Sequence, residues 1–318
     1  MKKIFFFILV LAFQLSKSTT TQAQDSTQDA KLRFSLITCD AGEDIYTIWG
    51  HTAIRVIDSV NHTDIVYNYG SFDFNTPNFI AKFVKGNLKY FISADTYQNF
   101  LYEYQYFERD VHEQVLNIST TEKIKWYQDL QTNMVGDNRF YLYNFITDNC
   151  TTRIKDGIFK HTTINDSLID VPNFREQIVS SAYKAGQAWI GFGIDLLLGA
   201  VSDRKPSAFE QAFLPTLLFN RVANNPALVA QTNHIKYQIK PAEKASSPIY
   251  VLIAILILYI LAANWNARPA VILSKTIDIL LLITFGIGGL LVLYMSQFSM
   301  HTACHENYNI LWLHPDRK

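Results

Sequence analysis

Two long apolar runs near the C-terminus constrain this chain more than any other feature. PIYVLIAILILYILAANW (248–265) and IDILLLITFGIGGLLVLYMSQF (277–298) are almost free of charge. As helices rising 1.5 Å per residue, each is about long enough to cross a hydrocarbon core of ~30 Å. Tyr250, Trp265 and Tyr294 suit interfacial positions. Tyr259 lies deeper and is expected to pack against a neighbouring helix, whereas Asp278 sits near the start of its run, where it can reach the headgroups. The expectation is two transmembrane helices, with a cytoplasmic loop at 266–276 and a tail at 299–318.

The N-terminus sets the direction. Lys2 and Lys3 precede the apolar run IFFFILVLAF, and small residues follow up to Ala23. That order reads as a secretory signal peptide over 1–23, the alternative being an uncleaved anchor. No cysteine closely follows the run, so the mature chain is not expected to be a lipoprotein. Export then carries 24–247 across the inner membrane to the periplasm. The connection NARPAVILSK holds Arg268 and Lys275 and no acid, as a cytoplasmic loop should. The tail returns to the periplasmic side with the large domain.

Charge is balanced, 28 Lys+Arg against 28 Asp+Glu, so nothing suggests nucleic acid as a partner. The three cysteines, Cys39, Cys150 and Cys304, all fall in the exported space, and an odd count leaves at least one thiol unpaired. Neither their spacing nor the cluster His301, Cys304 and His305 makes a structural zinc motif. No metal and no cofactor is expected.

The exported part reads as one α+β domain. RFSLIT is strand-like, and TAIRVI and IVYNYGSF around the polar turn SVNHTD argue for a hairpin. Ser119, three residues before Glu122, matches a capping box opening a helix. The aromatic segment FYLYNF suggests an extended run leading to Cys150.

Chemistry concentrates in two places. Asp148 or Asn149 can cap a helix that begins near Cys150, and a thiol there feels the positive end of the helix dipole, which favours the thiolate. A nucleophilic cysteine also needs a base, and His51, opening the strand in WGHTAIRV, is the best-placed histidine. Taken singly, each has a plain structural alternative: a buried apolar thiol and a packing histidine.

A histidine opening a strand, followed about a hundred residues later by a cysteine opening a helix, resembles the circularly permuted papain-like fold of the NlpC/P60 superfamily. LITCDAGEDIYTIWGHTAIRV, DIVYNYGSFDFNTPNFIAKFVKGNLKYF, YNFITDNCTTRI, GIDLLLGAVSDRKPSAFEQAFLPTLL and NYNILWLHP resemble, more specifically, the Lnb family of lipoprotein N-acyltransferases. The resemblance covers most of residues 35 to 314. Such proteins usually continue past NILWL into further spans, whereas this chain ends at Lys318; a shortened member is the expectation.

The resemblance implies a permuted papain-like exported domain followed by two transmembrane α-helices. It makes Cys150 the nucleophile and His51 the base and acid. Asn68, on the next strand, is the candidate for orienting the imidazole, with Asp64 behind it. The N–H of Cys150 and a side chain such as Tyr46 are candidates for an oxyanion hole, and Asn149, His301, His305 and Glu306 for lining the site. Cys39 is expected in the core, and Asp203, Arg204 and Glu210 are expected to hold loop geometry. The implied reaction moves an acyl chain from a membrane phospholipid, through a thioester on Cys150, to the N-terminal amine of diacylated lipoproteins, with the lipid bilayer as the third partner. Two alternatives stay open: a cysteine peptidase or amidase acting on peptidoglycan peptides, and a non-catalytic membrane scaffold.

Overall fold

The computed structural model describes residues 31–163, 170–238 and 245–313. The expected signal peptide, 1–23, lies outside the described residues.

The chain runs β1 (Leu32–Cys39), β2 (His51–Asp58), β3 (Thr63–Ser71), α1 (Phe79–Lys85), β4 (Lys89–Thr96), α2 (Tyr97–Tyr106), β5 (Val111–Leu116) and α3 (Thr120–Asn133). It continues with β6 (Phe140–Leu142), α4 (Cys150–His161), α5 (Phe174–Lys184), α6 (Ala188–Leu197), α7 (Pro215–Ala223) and β7 (Val229–Ile235). Two apolar helices follow, α8 (Pro248–Ala263) and α9 (Arg268–Gln297).

The seven strands form one antiparallel sheet in the order β6-β4-β3-β2-β1-β5-β7. Side chains alternate between its faces, so each strand feeds two cores. Phe34, Leu36, Ile54, Val56 and Tyr67 pack under α3, α4 and α7 with Trp126, Leu130, Ile154, Ile158 and Leu218. The intervening residues Ile37, Cys39, Ala53 and Val66 pack against Phe100 and Tyr104 of α2 on the other face. Arg55 lies on that second face, bound to Asp64 and Glu113 beneath the Tyr97 ring.

The β2–β3 hairpin forms with Ile57 opposite Asp64 and Ile54 opposite Tyr67. Ser119 caps α3 by accepting from the Glu122 N–H. The reciprocal half of the expected capping box is absent, because the Glu122 carboxylate turns to Lys125 and His161.

The membrane segment differs from expectation at one end. Residues 268–276, expected as a cytoplasmic loop, are the first turns of α9, and Pro269 sits at the helix start, where its missing N–H costs nothing. Only Asn264–Ala267 separates the two helices. Among the described residues, α9 is the helix long and apolar enough to cross a membrane; α8, with 16 residues, is ~24 Å long. Tyr259 of α8 faces Asp278 of α9 across the pair.

The tail after α9 is woven into the sheet domain. Gly199 N–H donates to Ala303 O, Ala200 N–H to Glu306 O and Met300 N–H to Lys85 O. The Asn307 and Asn309 amides both donate to Leu196 O.

Candidate active site

The start of α4 is built by Asn149. Its Oδ1 accepts the Thr151 and Thr152 N–H groups at 2.8 and 2.9 Å, and Thr152 Oγ1 reaches back to the Asn149 N–H. Its amide nitrogen donates to Phe145 O and Phe213 O. Asn149 is thereby fully committed to structure. Cys150, the first helical residue, carries its thiol at the positive end of α4, and its N–H is not one of those the cap engages.

His51 opens β2, and the hairpin register carries Asn68 and Gly70 of β3 to the same end. Gly70, at φ +96°, adopts a backbone shape disfavoured for other residues, and a Cβ there would lie 3.4 Å from the Cys150 Cβ. The pairing of β3 with β4 slips between Asn68 and Ser71, so the strand bends at this point. A bare, bent strand end is what lets α4 bring its thiol to the histidine.

His51 Nε2 donates to Asn68 Oδ1 at 3.1 Å, which leaves Nδ1 for the thiol. Burial works against charge on both partners. For Cys150 it is outweighed by the charge and hydrogen bond of His51, the Thr52 N–H and the Thr151 hydroxyl, and the thiol is held below its ordinary value. Burial likewise lowers His51, but the Cys150 charge and the bonds to Cys150 and Asn68 prevail and raise it. Both directions describe one preference, for thiolate beside imidazolium. The other two thiols differ: burial raises Cys39 far above its usual range and Cys304 to about 11. All three are unpaired.

The pair opens onto a cleft of about 630 Å³ whose wall is mainly apolar, including Trp49, Phe72, Tyr90, Tyr143, Phe213 and Met295. Met295 belongs to the last turns of α9, so the cleft adjoins the end of the membrane helix. A thiol whose ionisation is favoured, an imidazole beside it and an apolar trough give the arrangement room for an apolar chain next to a reactive sulfur.

The remaining expected residues divide. Tyr46 lines the cleft, but its hydroxyl turns to Asp44 Oδ2 at 3.1 Å, so it is not an oxyanion donor here. Asp64 is not behind Asn68, because Arg55 takes both its oxygens. His301 lines the cleft and its Nε2–H donates to Phe83 O at 2.7 Å. His305 and Glu306 do not reach it: the His305 ring turns to Ser299 O, and Glu306 is exposed at φ +55°. Arg204 and Glu210 pair with one another, and Asp203 takes Arg175. Thr52 and Gly70 were not anticipated; only the glycine left a trace, directly after NY at the end of a β-run.

Two family models match the chain. Residues 19–165 match the Lnb N-terminal periplasmic domain, and residues 240–317 match the Lnb transmembrane domain; together they span more than two thirds of it. No curated protein and no solved structure matches.

Proposed function

From the premise that this chain belongs to the Lnb family, as a membrane protein with a periplasm-facing domain whose membership implies lipoprotein N-acylation, we propose that Cys150 carries the acyl chain. The observation that carries this reading is the Cys150–His51–Asn68 constellation at the head of an apolar cleft beside a membrane helix.

In the first half-reaction the Cys150 thiolate attacks the ester carbonyl carbon of a phospholipid. The oxyanion develops near the Cys150 N–H at the start of α4. The carbon–oxygen bond then breaks, and His51 gives its proton to the departing alkoxide, releasing a lysophospholipid and leaving a thioester. In the second, the free α-amine of a diacylated lipoprotein's N-terminal cysteine attacks the thioester. With a reference pKa of about 7.7–8.0, a fair fraction of that amine is neutral at physiological pH. His51 accepts its proton as the amide forms, and the thiolate and imidazolium are restored. Asn68 holds the ring with Nδ1 toward sulfur throughout. Two half-reactions sharing one covalent intermediate make the kinetics ping-pong.

A strand-borne histidine preceding a helix-borne cysteine also supports a permuted papain-like domain. We divide the chain into a signal peptide (1–23), a periplasmic domain (24–247), spans within 248–265 and 277–298 in the inner membrane, and a periplasmic tail (299–318) that supplies one wall of the cleft. A peptidase would use the same pair, but a mainly apolar cleft beside a membrane helix suits an acyl chain better than a peptide.

The test uses full-length wild-type and Cys150→Ser protein in detergent with phospholipid and a diacylated lipopeptide. Mass spectrometry should find the lipopeptide gaining one acyl chain, with lysophospholipid, for wild type alone. Gain by the serine variant at the same rate, or none from folded wild type, refutes the reading.

A further inference from the structure

Helix α1 buries none of its seven residues. Ile80 is 70% exposed, and Phe74, in the turn before the helix, is 62% exposed. The rings form a continuous chain, Tyr46 to Phe74 at 6.2 Å, Phe74 to Phe79 at 5.1 Å and Phe79 to Phe83 at 6.5 Å between centroids. Phe79 is half-buried against the core, and Phe74, Ile80 and Phe83 stand exposed around it beside the cleft, an apolar surface of the kind that marks an interaction site.

Its depth follows from α9. The apolar part of that helix runs to Met295, and the helix ends at Gln297. Three residues later the Met300 N–H donates to Lys85 O at 2.8 Å, and His301 Nε2–H donates to Phe83 O. Three residues reach at most ~10 Å. The C-terminal end of α1 is therefore held within about 10 Å of the end of the membrane helix, a reach comparable with the headgroup layer of ~5–8 Å on each side of the core. Lys82 and Lys85 lie in the last turn of α1, and Met300 is itself half exposed beside it.

We propose that α1, together with Phe74 and Met300, docks into the periplasmic leaflet of the bilayer that α9 crosses. Ile80 and Phe74 lie below the headgroups, and Lys82 and Lys85 lie at the level of the phosphates. The occupant is lipid because the exposed patch is apolar, carries two lysines at one end and is tied within about 10 Å of the end of a membrane helix. Phe83 also lines the cleft, so the docked helix forms a lip through which an acyl chain passes from the leaflet toward Cys150. That last step rests on the acyl-transfer reading; the docking does not.

The experiment places a nitroxide label at Ile80→Cys in full-length Cys150→Ser protein, in nanodiscs of phosphatidylethanolamine and phosphatidylglycerol. The control label is Val60→Cys, in the exposed turn at the far end of the β2–β3 hairpin. Collision with oxygen should exceed collision with a water-soluble nickel chelate several-fold at position 80, with the reverse at position 60. Equal nickel access at both positions overturns the proposal. So does exclusion of both reagents at position 80, or dipolar coupling between labels on two copies, since protein would then cover the patch. A second arm uses Ile80→Asp with Cys150 intact. Apparent KM for vesicle phospholipid should rise about tenfold while labelling of Cys150 by iodoacetamide keeps its wild-type rate. A buried label with unchanged KM would keep the docking and remove the lip, whatever the identity of the reaction.

Discussion

Replacing Asn68 by alanine removes the acceptor that holds His51 Nε2 at 3.1 Å. The bond is half-buried and its donor is the charged form of the ring, so it belongs to the class worth about 1.5–3 kcal/mol. At ~1.4 kcal/mol per factor of ten, acyl transfer should slow about 10- to 150-fold. Stability should change by no more than ~1 kcal/mol, because Asn68 faces a cleft rather than the core. The sign of the pH effect is also fixed. The bond to Asn68 is among the forces that raise His51, and on the alkaline side the rate falls as the imidazolium loses the proton it must give to the leaving group. Losing the bond lowers the upper limit, so the alkaline limb of kcat/KM moves to lower pH. Asn68→Asp keeps an acceptor and adds charge, so it should recover much of the rate and move the same limb upward. The assay is initial lipopeptide acylation by mass spectrometry between pH 5 and about pH 10, spanning the reference thiol and imidazole values. An alanine variant with wild-type rate and unmoved limbs would refute the orienting role, even if Cys150 remained essential.

Iodoacetamide at pH 7 should alkylate native Cys150 at least ~100-fold faster than Cys39 or Cys304, since only its thiol is held low; peptide mass spectrometry reads the rates, and equal labelling of Cys39 would contradict the assignment. Gly199→Ala places a Cβ 1.7 Å from His305 O, so the tail must leave its seat, exposing 299–306 to limited proteolysis in detergent. Gly193→Ala, with open space around its Cβ, should leave the cleavage pattern unchanged. The Arg204 bond depresses Glu210 to about 2, so its contribution is present above the unfolded value of ~4.3 and is lost as pH falls through about 2. Glu210→Gln should therefore flatten stability over that acid range, by only ~1 kcal/mol because Arg204 is half exposed; an unchanged acid unfolding curve would contradict the pairing.

The cleft is assembled from stretches far apart in the chain, among them the β2–β3 hairpin, β4, the start of α4, the 213–215 segment and the residues around the end of α9. The wall of the cleft thus draws on both the sheet domain and the end of the membrane helix. Damage to the tail should consequently reach the cleft without touching Cys150 or His51.

By itself the sequence determined whatever rests on local periodicity or capping. An unbroken apolar run needs no partner to be read as a membrane helix. TAIRVI and IVYNYGSF reveal their hairpin because strand residues alternate and SVNHTD can turn. Asn before Cys150 declares a helix start because its side chain serves N–H groups two and three residues on. What tertiary structure decided are the contacts whose partners are far apart in sequence. The sheet order, with β5 and β7 pairing across more than a hundred residues, follows from packing on both faces and not from any strand alone. Asn68 could be named as a neighbour of His51 only once the hairpin was assumed. The hydroxyl of Tyr46 and the oxygens of Asp64 went elsewhere because Asp44 and Arg55 compete for them. His301 borders the cleft while His305 turns away, because the chain after α9 is fixed by Lys85 and Phe83 carbonyls some two hundred residues upstream. Those bonds exist only when the membrane helix and the sheet domain are folded together, and no periodicity along the chain encodes them.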